Sequence, residues 1–177
     1  MIERSGVLEN LQEILDVSDG IMVARSDLGV EIPISTMAVV QKSIMQQAAK
    51  KSRPAITATQ MLESMTEHRR PTPAEATDVA NAILDGTDAV MLSAESAMGY
   101  YPVEAAQMLV EIASETEPHR KENRALERIG EHQQVVDLIA HSLQLAVSNL
   151  HPTAVIVPTR SGTMARNVTR YLSLIHI

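Results

Sequence analysis

Ile21-Met22-Val23-Ala24 is followed at once by Arg25-Ser26-Asp27: four apolar residues, then three polar ones. The pattern recurs. Ala55-Ile56-Thr57-Ala58 runs into Thr59-Gln60, and Ala89-Val90-Met91-Leu92 runs into Ser93-Ala94-Glu95. The runs begin 34 residues apart, with helical periodicity between them. Short apolar strands alternating with helices read as βα units of a parallel sheet. Barrels and open α/β sheets keep their chemistry in the polar groups at the carboxyl ends of the strands. A 34-residue period also fits helical-hairpin repeats, but these units are not self-similar and each opens on a strand. The expected fold class is α/β.

Working outward, Val7–Val17 reads as one amphipathic helix with Leu8, Leu11, Ile14 and Leu15 on a face, broken by Gly20. Met37–Lys51 is a second, lined by Met37, Val40, Ile44 and Ala48. Pro54 opens the second strand, a place that tolerates proline. Thr72-Pro73-Ala74-Glu75 is a helix start, with Thr72 at the N-cap, Pro73 at N1 and Glu75 able to close a capping box. That helix runs to Asp85 and stops at Gly86. Another starts at Tyr101 or Pro102 and ends near Glu115. From Glu117 to Glu131 the chain is largely charged and weakly periodic. The division expected is a first domain over 1–117, a linker over 118–131 and a second domain over 132–177. The second would hold a helix at 133–150, buried through Val135, Leu138, Ile139, Ser142, Leu143, Ala146 and Val147. A strand at Ala154–Val157, the loop Pro158–Gly162 and a helix to Tyr171 would follow, the opening of another α/β domain.

Composition narrows the function. The chain has 177 residues, 45% hydrophobic and 21% charged, the mix of an ordinary globular protein. Phe and Trp are absent, so ten Met and the aliphatic residues must build the core. A net charge of −7 with no basic stripe argues against nucleic acid. No stretch reaches the roughly 18–20 apolar residues of a membrane span, and the N-terminus shows no secretory pattern. The absence of Cys excludes disulfides and thiolate metal sites and fits a cytoplasmic location. The six His lack i,i+3 or i,i+4 pairing, which argues against a His-based metal site.

Candidate chemistry sits at the strand ends. Asp27 at a barrel mouth suits Mg²⁺, a hard cation that prefers carboxylates; an Asx-type loop residue or helix N-cap is the alternative. Glu3, read as ending a preceding strand, could add a second carboxylate or be an exposed terminal residue. Thr59 could bond a bound anion or relay a proton, or simply favour a strand as a β-branched residue. Ser93 and Glu95 end the third strand and carry the same ambiguity. Ser161-Gly162 before a helix could bind an anion or form an ordinary N-cap turn.

Longer motifs go further. Asp19-Gly-Ile-Met-Val-Ala-Arg-Ser-Asp-Leu-Gly-Val-Glu-Ile-Pro33, Ile56-Thr-Ala-Thr-Gln-Met-Leu-Glu-Ser-Met65, Asp78-Val-Ala-Asn-Ala-Ile-Leu-Asp-Gly-Thr-Asp-Ala-Val-Met-Leu-Ser93 and Tyr101-Pro-Val-Glu104 resemble pyruvate kinase in order and spacing. The resemblance extends to about Leu172. It implies that residues 1–117 are the last part of a (β/α)₈ TIM barrel, with the tail of its fifth strand and units six to eight. Residues from about 131 would be the first half of an α/β C-terminal domain. It further implies phosphoryl transfer from phosphoenolpyruvate to ADP, giving pyruvate and ATP, with Mg²⁺ or Mn²⁺ and K⁺. The full-length enzyme would be a cytoplasmic homo-oligomer, a tetramer. By this resemblance Glu3 and Asp27 hold the divalent metal, and the backbone at Ser26 and Asp27 receives the substrate carboxylate. Thr59 binds substrate and is the catalytic candidate; Arg25, Ser93 and Glu95 support the site. Thr159-Arg160-Ser161-Gly162-Thr163 is similar to the loop that holds a phosphate of an allosteric sugar phosphate.

The sequence departs from the family at several points. Met1 stands where the family has lysine, Ser26 where it has glycine, and Pro73 where it has arginine; Ala94 and Ser96 replace glycine and threonine. Ser173–Ile177 does not continue the pattern, which suggests a truncated or misassembled frame. The expectation is that this chain alone is inactive. The alternatives are another metal-dependent barrel enzyme acting on pyruvate or its enolate, such as a lyase, and a non-catalytic fragment retaining only a phosphate-binding module.

Overall fold

The computed structural model describes residues 1–120 and 135–171. The chain separates into two compact units, Met1–Arg120 and Lys121–Ile177.

In the first unit, β1 (Ile21–Ala24), β2 (Ala55–Ala58) and β3 (Ala89–Met91) form a parallel sheet in the order β1-β2-β3. Ile21 pairs with Ala55, and Ile56 with Ala89. Ile2 adds a parallel bridge to Val23 on the outer side of β1: its N–H donates to Met22 O and its carbonyl accepts from Ala24 N–H. Val23, Ala24, Ala55, Thr57 and Ala58 are all buried, so β1 and β2 are covered on both faces. That is why these strands read as unbroken apolar runs rather than alternating ones.

The helices are α1 (Ser5–Glu9), α2 (Leu11–Val17), α3 (Arg25–Glu31), α4 (Met37–Lys50), α5 (Pro73–Leu84), α6 (Ala94–Ala97) and α7 (Pro102–Thr116). Leu11 and Leu15 of α2 and Ile44, Met45 and Ala48 of α4 pack with Ile2, Ile21, Val23 and Leu28. Truncating one of the larger of these side chains to Ala would cost about 2–5 kcal/mol. A second cluster joins Met61, Leu62 and Met65 to Val79 and Ile83 of α5 and Ala105 of α7. The helix expected over 7–17 is two helices. Asn10 interrupts it with φ −106° and ψ 16°, while its Nδ2 donates to Gly6 O at 3.2 Å. Asn side chains compete for helix carbonyls in this way. The capping box at α5 is formed: Glu75 N–H donates to Thr72 Oγ1, and Thr72 N–H donates to Glu75 Oε2. Glu75 also accepts from Ser64 N–H at 2.7 Å and Ser64 Oγ at 2.5 Å. Burial pushes this carboxyl up, but the bonds from Ser64 and Thr72 outweigh it and hold the group below its usual range. Gly86 follows α5 with φ 99°, a left-handed conformation that favours glycine.

The second unit contains α8 (Val135–Leu150) and α9 (Thr163–Tyr171). Ala140 and Val168 are its buried contact, with Leu143, Val147, Val155, Val157 and Met164 packed around them. Val135, Leu138, Ile139, Ser142 and Ala146, expected to be buried, are exposed. The covered face is instead centred on Ala140, because α9 and the 155–157 segment are what packs on α8. Ala154–Val157 is not a paired strand. Its residues alternate outward and inward, with Ile156 89% exposed, but no neighbouring strand supplies a ladder among the described residues. Positions 121–134, most of the expected linker, and the tail 172–177 lie outside the described residues.

Candidate active site

All three strands point the same way, so the segments after Ala24, Ala58 and Met91 meet at one end of the sheet. The β1 strand leads directly into α3, whose first residue, Arg25, is buried. A buried guanidinium must be paired and hydrogen-bonded. Its Nε and Nη2 donate to Thr59 O at 3.2 and 2.9 Å, and Nη2 also donates to Gln60 O at 2.7 Å. Nη1 forms an ion pair with Asp78 Oδ2 of α5 at 2.5 Å.

The two carbonyls held by Arg25 belong to an unusual turn. Thr59 has φ 69° and Gln60 φ 54°. Left-handed backbone is uncommon outside glycine and a true outlier for a β-branched residue; such strain costs on the order of 1–3 kcal/mol per residue. The Thr59 hydroxyl donates to Ala58 O at 2.6 Å and accepts from Ser26 N–H at 3.0 Å. Ser26 itself is helical with ordinary φ, so the replacement of glycine there introduces no left-handed strain.

Glu3 follows the Ile2 bridge and is half-buried; Asp27 lies in the first turn of α3 and is exposed. The strand register puts both at the carboxyl end of the sheet. Among the described residues neither carboxylate has a hydrogen-bond or ion-pair partner. No group of three or more His, Cys, Asp or Glu poised to hold a metal occurs among the described residues.

Glu95, in α6, is 1% exposed. Its Oε1 accepts from Leu62 N–H at 3.0 Å and its Oε2 from Ser93 N–H at 2.8 Å. It therefore ties the loop after β2 to the end of β3, with both oxygens engaged. Ser93 enters through its backbone. The sequence reading gave no role to Asp78 and did not foresee the Thr59–Gln60 turn. The signal for Asp78 was available: it lies three residues from Glu75 and four from Ala82, on the edge of the buried stripe of α5.

In the second unit, Gly162 N–H donates to Thr159 Oγ1 at 3.0 Å and Thr163 N–H to Ser161 Oγ at 3.4 Å. Arg166 Nη2 donates to Ser161 O at 3.5 Å, Arg160 is exposed, and Gly162 has φ 78°. The first N–H groups of α9 are thus met by local hydroxyls.

Among the described residues no helix is long and apolar enough to cross a membrane. The family described as "Pyruvate kinase, barrel domain" matches residues 1–106. The chain is 47% identical over 172 residues to a pyruvate kinase of Clostridium acetobutylicum, covering 96% of this chain and 36% of that protein. It is 46% identical over 172 residues to one of Bacillus licheniformis, covering 96% and 29%. A crystal structure of a pyruvate kinase from Cryptosporidium parvum superposes with a TM-score of 0.87 at 38% identity, covering 96% of this chain and 35% of that one. The chain thus spans about a third of the length of the relatives it matches. A parallel βα sheet with its polar groups gathered at the carboxyl end, matched over most of its length, makes this chain a member of the pyruvate kinase family.

Proposed function

We propose that this chain supplies the metal- and substrate-facing side of an enzyme that transfers a phosphoryl group from phosphoenolpyruvate to ADP. The observation that carries the reading is the pair Glu3 and Asp27: two carboxylates without a protein partner among the described residues, at the chemical end of a sheet whose family is known. A carboxylate pair is the donor set a hard divalent cation requires, so these residues fit Mg²⁺ or Mn²⁺. Such an ion would neutralise charge developing on the enolate and phosphoryl oxygens. K⁺ is the expected monovalent companion by family.

The chain's own residues position and polarise. Asp27 N–H lies in the first turn of α3, where amides have no partner within the helix, and would bond the substrate carboxylate. Ser26 N–H, assigned the same task, is engaged by Thr59 Oγ1, so substrate would share that amide with the hydroxyl. Phosphoryl transfer depends mainly on placement and charge neutralisation, and Thr59 is the side chain set to touch substrate. Nucleotide binding, a cytoplasmic location and a homotetramer follow the family reading, as does a sugar-phosphate site at Thr159–Thr163.

The test is a graft. This chain, from Ile2 onward, replaces the segment it matches in the Clostridium acetobutylicum enzyme, which keeps its own residue at the position of Met1. Mg²⁺-dependent formation of pyruvate from phosphoenolpyruvate and ADP is expected. A well-folded graft without turnover would overturn the reading. A polypeptide of these 177 residues alone is expected to show no turnover in the same assay.

A further inference from the structure

We infer that Arg25, anchored by Asp78, is the positioning residue that sets the Thr59 hydroxyl for the reaction proposed above, a reading on which this inference rests. Thr59 and Gln60 are consecutive left-handed residues without glycine. Nothing in their own chemistry favours that shape, so contacts elsewhere must impose it. The Arg25 guanidinium reaches both carbonyls of the turn with two of its nitrogens. Its third nitrogen is fixed on Asp78, which sets the plane of the fork. A lysine ammonium has no such geometry.

The hold is at two points. The Arg25 side chain grips the Thr59 carbonyl, and the next residue's amide, Ser26 N–H, grips the Thr59 hydroxyl. Both grips come from the start of α3, the same turn that carries Asp27. One short segment therefore presents a carboxylate and also orients the neighbouring strand's hydroxyl. Released from Arg25, Thr59 would relax to negative φ and its hydroxyl would leave the Ser26 amide. Small misplacements of this kind can cost up to about 100-fold in rate.

The test is a double-mutant cycle in the graft described above. Arg25→Lys is expected to lower kcat about 10- to 100-fold with little change in Mn²⁺ affinity. In a Thr59→Ala background the same change should alter kcat less than about twofold, because the group it positions is gone. Additive effects of the two substitutions would overturn the inference, as would near-parental kcat in Arg25→Lys. If Arg25→Lys fails to fold, Asp78→Asn enters the same cycle, with a smaller loss and the same non-additivity. Amide exchange reads the clamp without turnover: faster exchange at Ser26 in either variant supports it, and unchanged exchange refutes it. An inactive graft in which Ser26 exchange still responds to Arg25 would therefore sink the proposed reaction and leave the clamp standing.

Discussion

The two ends of the β1-β2-β3 sheet are built from similar residues and differ in how those residues are satisfied. At the amino end, Asp88 and Ala55 exchange backbone and side-chain bonds at 2.8 Å each. Thr87 lies within bonding distance of Ala55 O and Ala89 O and accepts from Thr57 Oγ1, fully buried. Arg53 ties down the carbonyls of Leu15 and Asp16. Its left-handed neighbour Ser52 closes α4, a common role for that conformation. At the carboxyl end, two carboxylates have no partner among the described residues and a β-branched residue is held left-handed. Satisfied polar groups stabilise a fold. Strained groups and unpartnered charges persist where something else selects them, and they cluster at functional sites.

The contrast can be broken experimentally. The largest effect is expected from Asp27→Ala in the grafted enzyme: turnover should fall about 100-fold or more, as when a group stabilising transition-state charge is removed, with weaker Mn²⁺ binding. Thr59→Ala should lower turnover about 10- to 100-fold, at least as far as Arg25→Lys does, and leave Mn²⁺ binding nearly intact. Steady-state kinetics with a metal titration separates the two, and exchanged phenotypes would reverse the assignments. Glu95→Ala should act on stability instead. It strands the Leu62 and Ser93 amides and should cost about 2 kcal/mol in denaturant unfolding, before any effect on metal binding. The smallest effect belongs to the amino end. Burial raises the Asp88 carboxyl above its usual range, against the opposing pull of Ala55 N–H and Arg120. A carboxyl raised in the native state favours folding at low pH, and that contribution is lost as pH rises through the native value. Asp88→Asn keeps an acceptor for Ala55 N–H and removes the charge. Its stability relative to the parent should therefore grow as pH climbs from about 4 toward neutrality. A difference that is flat with pH would show that Asp88 carries no such strain.

The fold was largely legible because periodicity reports on burial. β1 and β2 occupy the expected residues and α5 has its expected cap. Two of the misses share one cause. Asn10 splits a helix through a side-chain bond, and Ala154–Val157 fails as a strand for want of a neighbour among the described residues. Neither is encoded in local periodicity. At the candidate site, residue types and order were readable from motifs. The Arg25–Asp78 pair spans 53 residues of sequence, and the left-handed turn depends on it, so neither could be found by looking along the chain.

That separation also sets an order in time. Glu75 closes its contacts to Thr72 and Ser64 across 3 and 11 residues, whereas the Arg25–Asp78 contact must close a loop of 53. Short loops close in about 10–100 ns and non-local pairings come later. The knot at the start of α5 should be an early event in refolding and the strained turn a late one. In pulse-labelled exchange the Ser64 amide should gain protection before the Ser26 amide, and the reverse order would show that the turn nucleates its own clamp. A nascent chain would then pass through a stage with its sheet formed and Thr59 still relaxed, structured yet unable to hold substrate.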